Sequence, residues 1–288
     1  LKIAVTGSNG FTGRFFAAAA ATAGHEIVPL LSDLNDSTGL QRELQAANPD
    51  ALVHLAAISF VGHADDEAFY KMNVIGSMNV LNALCTLQRP VKKVLLASSA
   101  NIYGNSPHSP IGEDQIPSPV NHYAMSKLAM EYMARTYADR LPLVITRPFN
   151  YTGPGQAANF VIPKIVGHFR ERRATIELGN IHVEREFNDI RMIGAAYLAL
   201  LQYGQAAETY NVCTGQTYNL QSVIAQLSAM TGHALTIHVN PAFVRANEVH
   251  RLCGDPRKLN ACMAAHGIEL PAPDLADTLR WMLREDAP

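Results

Sequence analysis

The feature that most constrains this chain is its first thirteen residues: a strand-like run, Lys2 to Thr6, enters Gly7-Ser8-Asn9-Gly10-Phe11-Thr12-Gly13 and then an alanine-rich helical stretch. Strand, glycine loop and helix in that order form the context of a dinucleotide fingerprint. Gly7 permits the tight turn, Gly10 lets the backbone approach a pyrophosphate, and Gly13 allows close helix packing, while the helix N-terminus presents unpaired N–H donors. The spacing is GxxGxxG rather than GxGxxG. Asn9, Phe11 and Thr12 join the three glycines as candidate cofactor contacts.

The rest of the first half repeats the theme. Glu26 to Leu31, Ala51 to Leu55, Lys93 to Ala97 and Leu143 to Thr146 are short apolar runs separated by helical stretches. Strands buried on both faces read as continuous apolar runs, and strands separated by helices are parallel. The expected fold is therefore α/β, a Rossmann-type doubly wound parallel sheet with a smaller C-terminal α/β substrate lobe. Residues 1–150 form the expected cofactor domain, with 187–214 packing back on it, and 151–288 mainly the substrate lobe. Later helices are expected at Ile162 to Arg172, Met192 to Tyr203, Leu220 to Thr231, Pro256 to His266 and Asp274 to Arg284, with a strand at Thr209 to Val212. Two longer helices, Asp66 to Leu87 and His122 to Arg140, carry mixed apolar faces. Core packing and a homodimer interface explain those faces equally well.

At 288 residues with 48% hydrophobic and 17% charged side chains, the chain can bury a large core. Its 23 basic and 25 acidic residues leave a formal charge of −2, which gives no net attraction to nucleic acid or membrane. Phe15 to Ala23 is too short to span a bilayer, and a cytoplasmic protein is expected. The four cysteines, Cys85, Cys213, Cys253 and Cys262, have neither metal nor disulfide spacing and read as buried, reduced thiols. His63, His108 and His122 match no metal-ligand motif.

After the second strand, Asp33 is the best candidate to receive a ribose hydroxyl, with Leu34 beside it. Alternatively Asp33 lies near adenine, and Ser32 or Arg14 accommodates a 2′-phosphate, so NAD(H) and NADP(H) both stay open. Tyr123-Ala124-Met125-Ser126-Lys127 places a phenol and an ammonium on one helix face. A neighbouring ammonium is expected to stabilise phenolate and lower the tyrosine pKa, making the phenol a usable proton donor or acceptor. Ser98-Ser99-Ala100-Asn101-Ile102-Tyr103-Gly104 follows the strand Lys93 to Ala97, on the sheet edge that also carries the phosphate loop.

Through the TGxxGxxG loop, His54-Leu55-Ala56-Ala57, Asn73, the Ser99 segment and YxxxK, the chain resembles the extended short-chain dehydrogenase/reductase family along its whole length. The resemblance implies that Ser99 hydrogen-bonds the reacting oxygen, Tyr123 transfers a proton and Lys127 orients tyrosine and nicotinamide ribose. It also implies that Leu55, Ala56 and Ala57 line the cofactor and that Asn73 supports the helix near the lysine. Relatives that dehydrate nucleotide sugars carry an acid pair just after the residue matching Ser99. Here Ala100 and Asn101 stand there, and neither exchanges a proton at neutral pH, which points to reduction of a ketone.

The second half, with Arg147-Pro148-Phe149-Asn150-Tyr151-Thr152-Gly153-Pro154-Gly155-Gln156 and Arg185-Glu186-Phe187-Asn188-Asp189, resembles enzymes of GDP-sugars, in particular the GDP-6-deoxy-D-mannose reductases. That resemblance implies a GDP-sugar substrate, with Arg185 and Arg245 on its diphosphate, Glu248 on ribose, Gly179 and Asn180 on the base, and Asn150 near the phosphate. Guanidinium forks suit phosphate oxygens, although a single arginine is as often a surface charge. Related chains often read RDFxDVRD, and the final acid is Met192 here, so a local change in helix capping is expected. Competing expectations are a reductase forming the C4 epimer, GDP-6-deoxy-D-talose, a nucleotide-sugar 4-epimerase and a non-catalytic dinucleotide-binding module.

Overall fold

The computed structural model describes residues 1–62, 65–244 and 249–284. In chain order the first half comprises β1 (Lys2–Thr6), α1 (Phe11–Thr22), β2 (Glu26–Leu30), α2 (Ser37–Ala47), β3 (Ala51–His54), α3 (Asp66–Tyr70), a π-helical turn (Lys71–Gly76), α4 (Ser77–Leu84), β4 (Lys93–Ala97), α5 (His122–Arg135) and β5 (Leu143–Pro148). The second half adds β6 (Tyr151–Thr152), α6 (Val161–Arg170), β7 (Thr175–Leu178), β8 (Glu184–Arg185), β9 (Asn188–Asp189), α7 (Ile190–Tyr203) and β10 (Thr209–Val212). It ends with α8 (Leu220–Thr231), β11 (Thr236–Val239), β12 (Arg251–Leu252), α9 (Arg257–Ala265) and α10 (Leu275–Arg284).

Six strands form one parallel sheet in the order β10-β5-β4-β3-β1-β2. The chain leaves β1 for β2 on one side and returns to β3 on the other. This reversal opens a crevice at the carboxyl ends of β1 and β3, where such sheets bind ligands. One face is closed by α1 and α7, with Phe16, Ile193, Tyr197 and Leu200 buried against Ile3 and Val5. The other is closed by α2, α4 and α5 over Leu52, Val94 and Leu96. Each such aliphatic side chain removed from water contributes about 1.5–3 kcal/mol, so both faces hold the sheet rigid under the crevice. A third cluster gathers Ile162, Ile165, Phe169, Val223, Leu227 and Leu279 from α6, α8 and α10 beside the two-stranded pairing of β7 with β11.

Most helix bounds fall within two residues of expectation, and three departures have a structural reason. The stretch Asp66 to Leu87 is divided by the π-helical turn, which carries Asn73 inward. Helix α5 stops at Arg135 rather than Arg140, because Thr136 turns back onto the Met133 carbonyl and the buried Tyr137 ring sends its hydroxyl to Asn82. Helix α7 begins at Ile190, two residues early. Its cap is Asp189, which accepts from Arg191 N at 2.7 Å, and Met192 is buried in the core. The changed acid therefore leaves the cap intact, a correction to the expected capping change. All four cysteines are free thiols, but only Cys213 and Cys253 are fully buried. No helix among the described residues is long and apolar enough to cross a membrane.

Candidate functional site

The glycine loop is shaped partly by its own fold and partly for something else. Gly7 has φ +70°, and a Cβ there would lie 2.7 Å from Ala56 N; a Cβ on Gly13 would lie 2.1 Å from the Gly7 carbonyl. Those two positions exclude side chains by internal packing. Gly10 differs, since a Cβ there meets only the Gly7 carbonyl at 3.2 Å. Gly10 is the N-cap of α1, no side chain caps this end, and no acid lies in the first turn. The α1 N-terminus thus keeps donors and positive partial charge for an anion, as a dinucleotide pyrophosphate requires.

A cleft of about 920 Å³ runs from this loop to the second lobe. It is lined by Gly7, Gly10, Phe11, Thr12, Gly13, Leu55 and Ala57 at one end, by Ser99, Tyr123 and Lys127 in the middle, and by Asn150, Gly179, Asn180 and Arg185 at the other. Asn9 is exposed at the loop tip and Ala56 N bonds Thr6 Oγ1, so both lie beside the lining rather than in it. Asp33 gives its carboxylate to Asn35 N and Nδ2 at 2.8 and 2.9 Å, bonds that hold it below the usual carboxylate range, and Leu34 is buried against Gly76. Arg245 and Glu248 lie outside the described residues.

The middle of the cleft is built from two elements. Ser99 follows β4 and accepts from Asn101 N and Nδ2 at 3.2 and 3.1 Å. Helix α5, capped by Asn121 Oδ1 on Ala124 N, presents Tyr123 and Lys127. The Ser99 side chain lies against the Tyr123 phenol and favours its ionised form, but burial outweighs this and pushes the phenol up to about 12. The expected depression by Lys127 is absent. Lys127 instead donates to the Ala97 carbonyl at 2.8 Å, and burial brings its ammonium down to about 8. Ala100 is fully buried, so the two positions after Ser99 offer an apolar methyl and an amide already bonded to Ser99.

A chain of buried hydrogen bonds sets the pose of α5. Thr6 Oγ1 meets His54 Nδ1 at 2.7 Å, and His54 Nε2 meets Ser77 Oγ at 2.8 Å. Ser77 donates to the Asn73 carbonyl, Asn73 Nδ2 donates to Ser126 Oγ at 2.9 Å, and Ser126 donates to the Tyr123 carbonyl. Burial, aided by the Lys127 charge, lowers His54 to about 3, so the ring is neutral. Asn73 also accepts from Ile58 N at 3.1 Å. It thus joins the β3 loop to α5 and does not line the cleft. On the other side of α5, Glu131 receives Arg147 Nε and Nη2 at 3.0 and 2.7 Å, with both side chains buried.

At the far end, Arg185 spends donors on the Glu184 and Val249 carbonyls. A Cβ on Gly179 would collide with the Phe243 carbonyl at 2.1 Å, so that glycine is already required by packing. Sequence reasoning passed over Ser98, Pro148, Tyr151, Lys164 and Tyr197, all of which line the cleft. Tyr151 stacks on Phe11 with ring centroids 6.1 Å apart and shares a 2.8 Å hydrogen bond with Thr12. Ser98 and Tyr151 sat inside segments already singled out, whereas Tyr197 reads as an ordinary core position of a helix.

The profile of the family described as GDP-mannose 4,6 dehydratase matches residues 30–263. The chain belongs to this family. Among its relatives, a GDP-6-deoxy-D-talose 4-dehydrogenase of Aggregatibacter actinomycetemcomitans is 35% identical over 269 residues, 90% of each chain. A GDP-6-deoxy-D-mannose reductase of Pseudomonas aeruginosa is 33% identical over 274 residues, again 90% of each. The structure of RMD from Pseudomonas aeruginosa complexed with NADPH superposes with a TM-score of 0.89 at 31% identity, covering 98% of both chains.

Proposed function

We propose that this protein is an NAD(P)H-dependent reductase acting on the C4 ketone of GDP-4-dehydro-6-deoxy-D-mannose, giving GDP-6-deoxy-D-mannose (GDP-D-rhamnose). The observation that carries the reading is the meeting of Ser99 and Tyr123 in the middle of the cleft, beside two positions that cannot exchange protons. A nicotinamide cofactor supplies the hydride; Gly7, Gly10, Phe11, Thr12, Gly13, Leu55, Ala57 and Lys127 would hold it. Tyr123 is protonated at neutral pH and gives its proton to the ketone oxygen as that oxygen becomes an alcohol. Ser99 hydrogen-bonds the same oxygen and fixes its direction. Elimination of a C6 hydroxyl would need a base and an acid next to Ser99, and the chain offers neither. The names of the two relatives support a GDP-linked 6-deoxyhexose. In this reading Arg185 and Asn150 take its diphosphate, and Gly179 with Asn180 its base.

The talose-named relative favours a second reading, reduction from the other face to the C4 epimer. One experiment separates these readings: 4-keto sugars linked to GDP, UDP and dTDP are offered with NADH and NADPH, cofactor absorbance is followed, and the product's C4 configuration is read by NMR. Oxidation of cofactor with only the GDP sugar supports the proposal. Interconversion of the two C4 alcohols of a GDP sugar, offered separately with no net change in cofactor, would mean an epimerase, and no turnover with any 4-keto sugar sinks the substrate assignment.

We also propose that residues 1–150 with 187–214 serve the cofactor and the remainder serves the sugar nucleotide. A homodimer formed through α5 and the π-helical turn would cover Ile75, Met125 and Tyr132, which are exposed at 44%, 40% and 58%.

A further inference from the structure

Nearly every buried hydroxyl around the cleft floor has a partner: Thr6 bonds His54, Thr12 bonds Tyr151, Ser77 bonds His54 and Ser126 bonds Tyr123. Two do not. Ser98 Oγ and the Tyr197 hydroxyl are buried, with residues 3% and 0% exposed, and neither has a hydrogen-bond partner among the described residues. Both residues line the cleft. A buried hydroxyl without a partner is costly and correspondingly rare, and each case calls for a reason.

Their position narrows the reason. Ser98 immediately precedes Ser99 and is fixed by its backbone N–H on the Thr146 carbonyl at 2.7 Å, where β4 ends beside β5. Tyr197 rises from α7 beneath those strands. Its hydroxyl faces Thr146 without reaching hydrogen-bond geometry, and burial together with the nearby phenols of Tyr151 and Tyr123 pushes it well above its ordinary range. The two hydroxyls are uncharged, and each can both donate and accept. They therefore suit a neutral group carrying both a donor and an acceptor rather than a phosphate, whose place is the α1 N-terminus. Next to the proton-transfer pair, the cofactor's reactive ring has one such substituent.

We infer that Ser98 and Tyr197 form the seat of the nicotinamide carboxamide and so set which way the ring presents itself to Ser99 and Tyr123. This rests on the dinucleotide reading proposed above. These are positioning residues. Their hydroxyls take no part in proton transfer.

The test titrates purified wild type, Ser98→Ala, Tyr197→Phe and the double variant with NADH and NADPH, and with ADP-ribose and its 2′-phosphate, which lack the nicotinamide. Each single variant is expected to weaken the full dinucleotide about five- to tenfold. Affinity for the ADP-ribose ligand should stay within about twofold, and Ser98→Thr should keep wild-type affinity. Urea midpoints should not fall, because each change removes an unpaired buried hydroxyl. Equal weakening of both ligand types, unchanged affinity for all, or a lowered midpoint with intact binding would overturn the inference and assign the hydroxyls to framework or bound water. Failure of the wild type to bind either ligand type would instead overturn the dinucleotide reading, and this inference with it.

Discussion

Lys127 donates to the carbonyl of Ala97 at 2.8 Å, which pins the helix bearing Tyr123 to the strand that delivers Ser99. The ammonium thus acts as a tether between the two elements whose hydroxyls must meet. Tyr123, buried beside Tyr151 and close to Ser99, keeps its proton in the neutral range. That is the state a reductase needs before hydride arrives.

Tyr123→Phe should therefore lower kcat by about 10²- to 10⁴-fold while leaving substrate affinity within about threefold. Phenylalanine preserves the tilted ring contact with Phe69 at 6.0 Å, so packing is spared. Steady-state rates and direct substrate titration check the split. A parallel loss of affinity would assign Tyr123 to binding.

Gly10→Ala and Gly13→Ala should fail in different ways. The Gly13 variant forces a methyl onto the Gly7 carbonyl at 2.1 Å and should unfold at lower urea. The Gly10 variant meets only a 3.2 Å neighbour, so its midpoint should stay near wild type while dinucleotide affinity falls at least tenfold. Titration of both purified variants decides whether Gly10 serves the ligand or the fold.

His54 predicts an acid-labile core. Its pKa is about 3 in the folded chain and about 6.5 in the unfolded one. Between those values the unfolded chain binds the proton and the folded chain does not. Stability is therefore retained above pH 6.5 and falls as pH drops toward 3, by up to about 1.4 kcal/mol per pH unit from this group. His54→Gln keeps a donor and an acceptor for Thr6 and Ser77, and its denaturation midpoints between pH 4 and 7 should depend less on pH.

Glu131→Ala should cost about 3–5 kcal/mol, because it strands the Arg147 guanidinium in a site where both side chains are buried. The double change Glu131→Met with Arg147→Met should recover much of that loss, since an apolar pair of similar volume has no charge to desolvate. Chemical denaturation of single and double variants gives the comparison.

Tyr132→Glu combined with Met125→Glu should yield a monomer if α5 forms the proposed dimer face, because a carboxylate on each side would face its symmetry mate. Sedimentation velocity reads the change directly. A monomeric wild type would remove the proposal.

The sequence alone determined the parallel sheet, its glycine loop and the Ser99, Tyr123 and Lys127 segments, because strand and helix periodicity and glycine demands are local properties of the chain. It read Met192 as a change in helix capping because Asp189, three residues earlier, is recognisable as the cap only once α7 has a defined start. It paired Lys127 with Tyr123 because four residues make one turn, whereas the Ala97 carbonyl comes from a strand 30 positions away. The π-helical turn, the His54–Ser77–Asn73–Ser126 chain and the unpaired hydroxyls of Ser98 and Tyr197 were likewise invisible. Each depends on which distant groups are brought together and which polar atoms burial leaves without water, and tertiary packing alone decides both.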